Sequence, residues 1–211
     1  MEKQFLEPIN ATSKTGHENL AFDNSPIGYT LQDFWRWSLS DMLSNAARGR
    51  FAEFIVGTAI DLKVENLRHE WGAYDLITKD GIKIEVKSSA YIQSWKQAKF
   101  SVINFSIKAA RHVEKSSITM QRGEAKRHAD IYVFCLLKHK DQKTIDPLKL
   151  EQWEFYVLPT CQLDSYKRSK SSITLPSLQK LTDSITYQKL KNEIYSAFEE
   201  QNQSSTASQD K

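Results

Sequence analysis

The period of the apolar positions changes along the chain, and those changes divide it into elements. Residues 1–29 hold no sustained period and are broken by Pro8, Gly16, Pro26 and Gly28, which predicts an N-terminal arm or irregular lead-in. Thr30 suits an N-cap, with Asp33 three residues on. From there Leu31, Phe34, Trp35, Leu39, Met42 and Leu43 recur at helical spacing over 31–47. A second helix follows almost at once over 48–62, with Phe51, Ile55 and Ala59 beside Ala52, Val56 and Ile60.

The period then drops to two. Residues 74–78 and 82–89 alternate apolar and polar around Lys79-Asp80-Gly81, a hairpin signature. In the second strand Ile82, Ile84 and Val86 point one way, and Lys83, Glu85 and Lys87 the other. A two-residue turn at Asp80-Gly81 would put Asp75 on the apolar side, opposite Val86. A three-residue loop, with Gly81 left-handed in a bulge, pairs Thr78 with Ile82 and sets Asp75 opposite Glu85. That register also gathers Tyr74, Leu76, Ile82, Ile84 and Val86 into one apolar face, so the pattern selects it.

Further strands are expected at 100–107, at 131–137 and at 154–160, the last ended by Pro159. IYVFCLL (131–137) is almost continuously apolar, as a central strand buried on both faces should be. A last helix is expected over about 186–199, then a disordered tail from 201 to 211. There are no internal repeats. The order of helices, hairpin, strands and helix predicts one α/β domain over 30–200, with a central mixed β-sheet flanked by helices.

Composition narrows the class without deciding it. The 211 residues are 40% apolar and 26% charged, ordinary for a globular protein with one core. No apolar run is long enough for a membrane span, and the N-terminus has no apolar leader region. Cys135 and Cys161 lack CxxC spacing and read as reduced packing thiols of a cytoplasmic protein, not zinc ligands. The five histidines, His17, His69, His112, His128 and His139, have no zinc-type spacing and read as surface residues. A net charge of +3 is too small for a nucleic-acid coat but compatible with positive charge around one cleft.

The hairpin carries the chemistry. Two carboxylates ~5 Å apart on paired strands repel unless a cation lies between them. Their oxygens suit Mg²⁺, for which Mn²⁺ can substitute, because such ions keep water and substrate phosphate in their shell. Lys87, on the same side as Glu85, can hold or deprotonate an attacking water, or stabilise charge in the transition state. Asp75, a nine-residue spacer and Glu85-Val86-Lys87 resemble the D-x(n)-(D/E)-x-K signature of the PD-(D/E)XK nuclease superfamily, with Tyr74 where proline often stands.

This resemblance covers about 45–160 and implies a restriction-endonuclease-like core. It further implies a catalytic set of Asp75, Glu85 and Lys87, joined by a helical glutamate for which Glu53 fits, and a metal site formed by Asp75, Glu85, Val86 and Glu53. Gly49 and Gly57 lie a turn either side of Glu53 and would leave that helix face bare for the hairpin or a metal shell. The segment after Lys87 is similar to one that contacts the scissile phosphate or bound water in such nucleases. It makes Gln93 a catalytic candidate and Ser88 and Ser89 nucleic-acid contacts.

Residues 108–129 hold six Lys or Arg against two Glu, either a solvated loop or a phosphate-contacting loop over the cleft. Arg111, Lys115, Arg122, Lys126 and Arg127 are its candidates. The resemblance implies a magnesium-dependent DNA endonuclease of restriction, defence or mobile-element type, acting on duplex DNA as a homodimer. A non-catalytic nucleic-acid-binding or assembly domain that keeps the fold is the alternative. RNA or branched DNA is an alternative substrate.

Overall fold

The computed structural model describes residues 9–65, 67–68, 72–110 and 125–209, the last five as backbone alone. Its centre is a four-stranded sheet in the order β3-β4-β6-β7, with β3 Leu76–Ile77, β4 Lys83–Ala90, β6 Ile131–Leu137 and β7 Trp153–Pro159. The β4–β6 pair is parallel and the other two pairs are antiparallel, so the fold is α/β with a mixed central sheet. All seven residues of β6 are buried, because both faces of this strand are covered.

Alternation along the strands sorts side chains into two layers. Ile84, Val86, Val133, Cys135, Phe155 and Val157 pack on one face beneath helices α2 (Asn45–Ala59) and α5 (Leu190–Gln209). Tyr132, Phe134, Leu136, Tyr156 and Leu158 pack on the other. A small separate ladder covers that second face, formed by β5 (Asn104–Ser106) and β8 (Ser172–Thr174), with helices α3 (Thr160–Ser165) and α4 (Leu175–Leu178). The strand expected over 100–107 is therefore three residues long and lies outside the central sheet. Asp130 pins the start of β4 to β6: its N–H donates to the Lys83 carbonyl at 2.8 Å and its carboxylate accepts the Lys83 N–H at 2.9 Å.

The N-terminal expectations need correction. The stretch read as an irregular lead-in contains a hairpin, β1 (Asn19–Phe22) and β2 (Ser25–Thr30), turning on Asp23 and Asn24 at φ 46° and 60°. The Thr30–Asp33 capping box forms as expected, with the Thr30 N–H donating to Asp33 Oδ2 at 2.9 Å. Helix α1 (Leu31–Leu39) then stops instead of running on to 47. The Asp41 carboxylate accepts the N–H groups of Leu43 and Ser44, and Ser44 caps α2 three residues earlier than its apolar period suggests. At the other end α5 continues to Gln209, through much of the stretch expected to be a tail.

Gly57 serves packing, not a bare face for the site. A Cβ there would lie 2.8 Å from Leu62 Cδ2, where the chain folds back and the Leu62 N–H bonds to the Gly57 carbonyl at 2.9 Å. No helix among the described residues is long and apolar enough to cross a membrane.

Candidate active site

The hairpin that carries Asp75 and Glu85 adopts the three-residue loop. Leu76 pairs with Ile84 and Ile77 with Lys83, and the Thr78 N–H bonds to the Ile82 carbonyl at 3.0 Å. Gly81 sits at φ +87°, the left-handed conformation that the bulge requires and glycine adopts without a Cβ penalty. This is the register that sets Asp75 opposite Glu85. Regular pairing ends at Leu76, however, and the Asp75 N–H bonds to the Ile84 carbonyl at 3.0 Å. Tyr74 thus leaves the apolar face predicted for it and packs with the second layer. Asp75 is held in place by its own side chain: Oδ2 accepts the Val86 N–H at 2.8 Å.

Glu85 and Lys87 project from β4 on the Tyr132 side of the sheet. Lys87 Nζ donates to Glu85 Oε1, and both side chains are half-buried. Burial raises the pKa of Glu85 above its ordinary value, the charge of Asp75 raises it further, and Lys87 acts in the opposite direction. Val86 points into the core beneath α2, which leaves only its main chain for the site.

Glu53 lies on α2 and also contributes a repulsive charge to Glu85. Its carboxylate is held by Arg68 through two hydrogen bonds, one from Nε to Oε2 and one from Nη2 to Oε1 at 3.0 Å. The same Arg68 Nη2 lies 4.0 Å from Asp75 Oδ1. A guanidinium therefore bridges Glu53 and Asp75. Nothing in the sequence pattern singles out Arg68, which stands in a polar stretch without periodicity.

Asp75 and Glu85 open into one cavity of about 130 Å³. Lys108, Lys126, Arg127 and His128 line it as well, and Tyr132 completes the wall. Lys126 is brought there by two backbone hydrogen bonds with Ala110, each 3.1 Å, which clamp the ends of the basic segment together. His128, expected on the surface, joins this wall, and its Nε2 lies 3.2 Å from the Ala110 carbonyl. Tyr132 is a further site residue that sequence reasoning does not reach. It is the residue of β6 that pairs with Glu85, and burial, then the Glu85 charge, raises the pKa of its hydroxyl. Arg127 also has partners within the fold. Its guanidinium donates to the Ile107 carbonyl at 3.0 Å and pairs with Asp164, which ties the basic segment to α3. Arg111, Lys115 and Arg122 lie outside the described residues.

Gln93 is committed elsewhere. Its Oε1 accepts from Arg48 Nη1 at 2.9 Å, and its Nε2 donates to the Ala90 carbonyl and to Ser101. Arg48 is itself buried and also donates to the Leu43 carbonyl and to Asn45 Oδ1. The pair fastens the start of α2 to the end of β4. Ser88 and Ser89 are half-buried on β4, opposite Cys135 and Leu136 of β6.

Among the described residues no three His, Cys, Asp or Glu side chains are grouped closely enough to hold a metal ion. The donor chemistry nevertheless suits a hard divalent cation. Two oxygen-bearing side chains share a cavity, one of them desolvated and repelled by the other, and a guanidinium already bridges the third carboxylate to Asp75. A family model described as bacteriophage T4 endonuclease IV matches residues 23–177, a span that includes Glu53, Asp75, Glu85, Lys87, Lys108 and Lys126. No curated protein matches the chain.

Proposed function

The chain belongs to the bacteriophage T4 endonuclease IV family, and we propose that it hydrolyses DNA phosphodiester bonds with Mg²⁺ or Mn²⁺ on a PD-(D/E)XK, restriction-endonuclease-like core. The observation that carries this reading is the shared cavity. One side offers the carboxylates of Asp75 and Glu85, and the rim offers the cations Lys108 and Lys126. Acidic groups attract a metal ion and basic groups attract a phosphate, and a phosphodiesterase needs both within one cleft.

Asp75, Glu85 and the main chain at Val86 would hold the ion, with Glu53 available once Arg68 releases it. Bound there, the ion would polarise the phosphoryl oxygen and lower the pKa of water. The chain's own groups then have distinct tasks. Glu85, desolvated and repelled by Asp75, favours a cation over an empty carboxylate pair. Lys87 Nζ, which donates to Glu85 in this structure, orients the attacking water or offsets charge that develops on the phosphate. Lys108 and Lys126 draw the DNA backbone over the cavity mouth.

The test is cleavage of plasmid, branched and single-stranded DNA by the purified chain. Cutting should require Mg²⁺ or Mn²⁺ and stop when Ca²⁺ replaces them, while Ca²⁺ still supports DNA binding. A protein that cuts equally well in chelator refutes metal dependence. One inert on all these substrates and on RNA is instead a binding or assembly domain.

A further inference from the structure

The N-terminal hairpin and α1 bring together apolar side chains that the rest of the described structure leaves uncovered. None of the nine α1 residues is buried, and every residue of β1 is exposed. Leu20 and Phe22 alternate on one strand, Ile27 and Tyr29 on the other, and Phe34 and Trp37 pair on the helix with ring centroids 6.4 Å apart. These six side chains are between 41% and 81% exposed. At ~200 Å² for a large side chain, they offer roughly 700 Å² of apolar surface. That is more than the largest apolar patch on most monomers, and close to the ~800 Å² per partner that a stable interface buries. A two-stranded hairpin is also marginal in water without something to pack against.

Charge decides what covers it. Residues 9–44 hold Glu18, Asp23, Asp33 and Asp41 against only Lys14 and Arg36, so this region would repel a phosphate backbone. Its carboxylates are also occupied locally. Glu18 accepts the Thr15 and Gly16 N–H groups, and Asp33 closes the capping box and pairs with Arg36 at 3.6 Å. The residual charge of this region is small and lies on exposed side chains, where salt screens it, so an apolar contact with an identical face across a two-fold axis outweighs the repulsion. We propose that two copies of this chain dimerise through the β1–β2 hairpin and α1, with Phe22 and Trp37 at the centre of the contact. The proposal does not depend on the nuclease reading.

Sedimentation equilibrium of the full chain, without DNA or metal and over a dilution series, tests it directly. Wild type should show about twice the 24.3 kDa chain mass at micromolar concentration and dissociate on dilution. Phe22→Glu and Trp37→Glu should each raise the dimer dissociation constant on the order of 30-fold or more, the scale of losing an interface hot spot. Trp37→Phe should retain the dimer. Circular dichroism and melting verify that the variants fold, and the wild-type dilution series stands without them. A wild type that stays monomeric at every concentration overturns the proposal. So does a dimer unaffected by either glutamate, or a loss of DNA binding with no change in mass, which would assign the arm to DNA.

Discussion

Replacing Glu85 with glutamine removes a charge that the metal-free fold opposes and that the proposed metal ion would require. The Glu85 side chain is 21% exposed, and burial followed by repulsion from Asp75 raises its pKa above the ordinary carboxylate value. It therefore holds its proton more tightly folded than unfolded, which costs no stability below the unfolded pKa. The cost grows as pH rises through the unfolded value and levels off above the folded one. Glutamine has no proton to lose and escapes that cost, yet its amide oxygen still accepts from Lys87. In chelator near neutral pH, Glu85→Gln should melt above wild type, and each kcal/mol of relieved cost would appear as ~2–4 °C in a chain of this size. Near pH 4 the difference should close. Magnesium should invert the order: a ligand present at ~100 times its dissociation constant stabilises by ~2.7 kcal/mol, or ~5–10 °C here. Wild type should gain that increment and the variant should not. Scanning calorimetry at both pH values, in chelator and in Mg²⁺, reads all four conditions. Equal Mg²⁺ responses, or a variant less stable than wild type in chelator at neutral pH, would refute the assignment of Glu85 as a strained metal ligand.

Lys108→Ala combined with Lys126→Ala should weaken DNA binding and flatten the log–log salt dependence by roughly 0.9 for each phosphate no longer neutralised; an unchanged slope would remove both lysines from the interface. Gln93→Ala should lower the melting temperature, because it strips Arg48 of a partner inside the fold. Its effect on cleavage in the folded state should be small, and a rate reduction on the order of 10²-fold without destabilisation would return Gln93 to the catalytic set.

Much of the site's frame is legible because it is written locally. The Thr30–Asp33 box, the left-handed Gly81 and the alternation of Ile82, Ile84 and Val86 depend on neighbours a few residues apart. They fix the hairpin register before any tertiary contact is known. What escapes depends on distant partners. Arg68 acquires meaning only where the fold brings it to Glu53, 15 positions back, and Gln93 only against Arg48, 45 positions away. Tyr132 joins the cavity through the parallel pairing of β4 and β6, which single-strand periodicity cannot reveal. The N-terminal hairpin is different, since Asp23-Asn24 between two alternating stretches is a two-residue turn signal present in the sequence itself. The break after Leu39 is hidden because Met42 and Leu43 continue the helical spacing, while Asp41 and Ser44 divert the backbone into caps.

The central claim, that this cavity cuts DNA, is tested most directly by single-turnover cleavage with Lys87→Ala. Lys87 contacts Glu85 and is half-buried beside the cleft, so removing its side chain should leave the fold and DNA affinity nearly unchanged. The rate with saturating Mg²⁺ should fall on the order of 10²-fold or more, the scale of losing a positioned proton-transfer or electrostatic group. A Lys87→Ala protein that cuts at the wild-type rate would contradict the account.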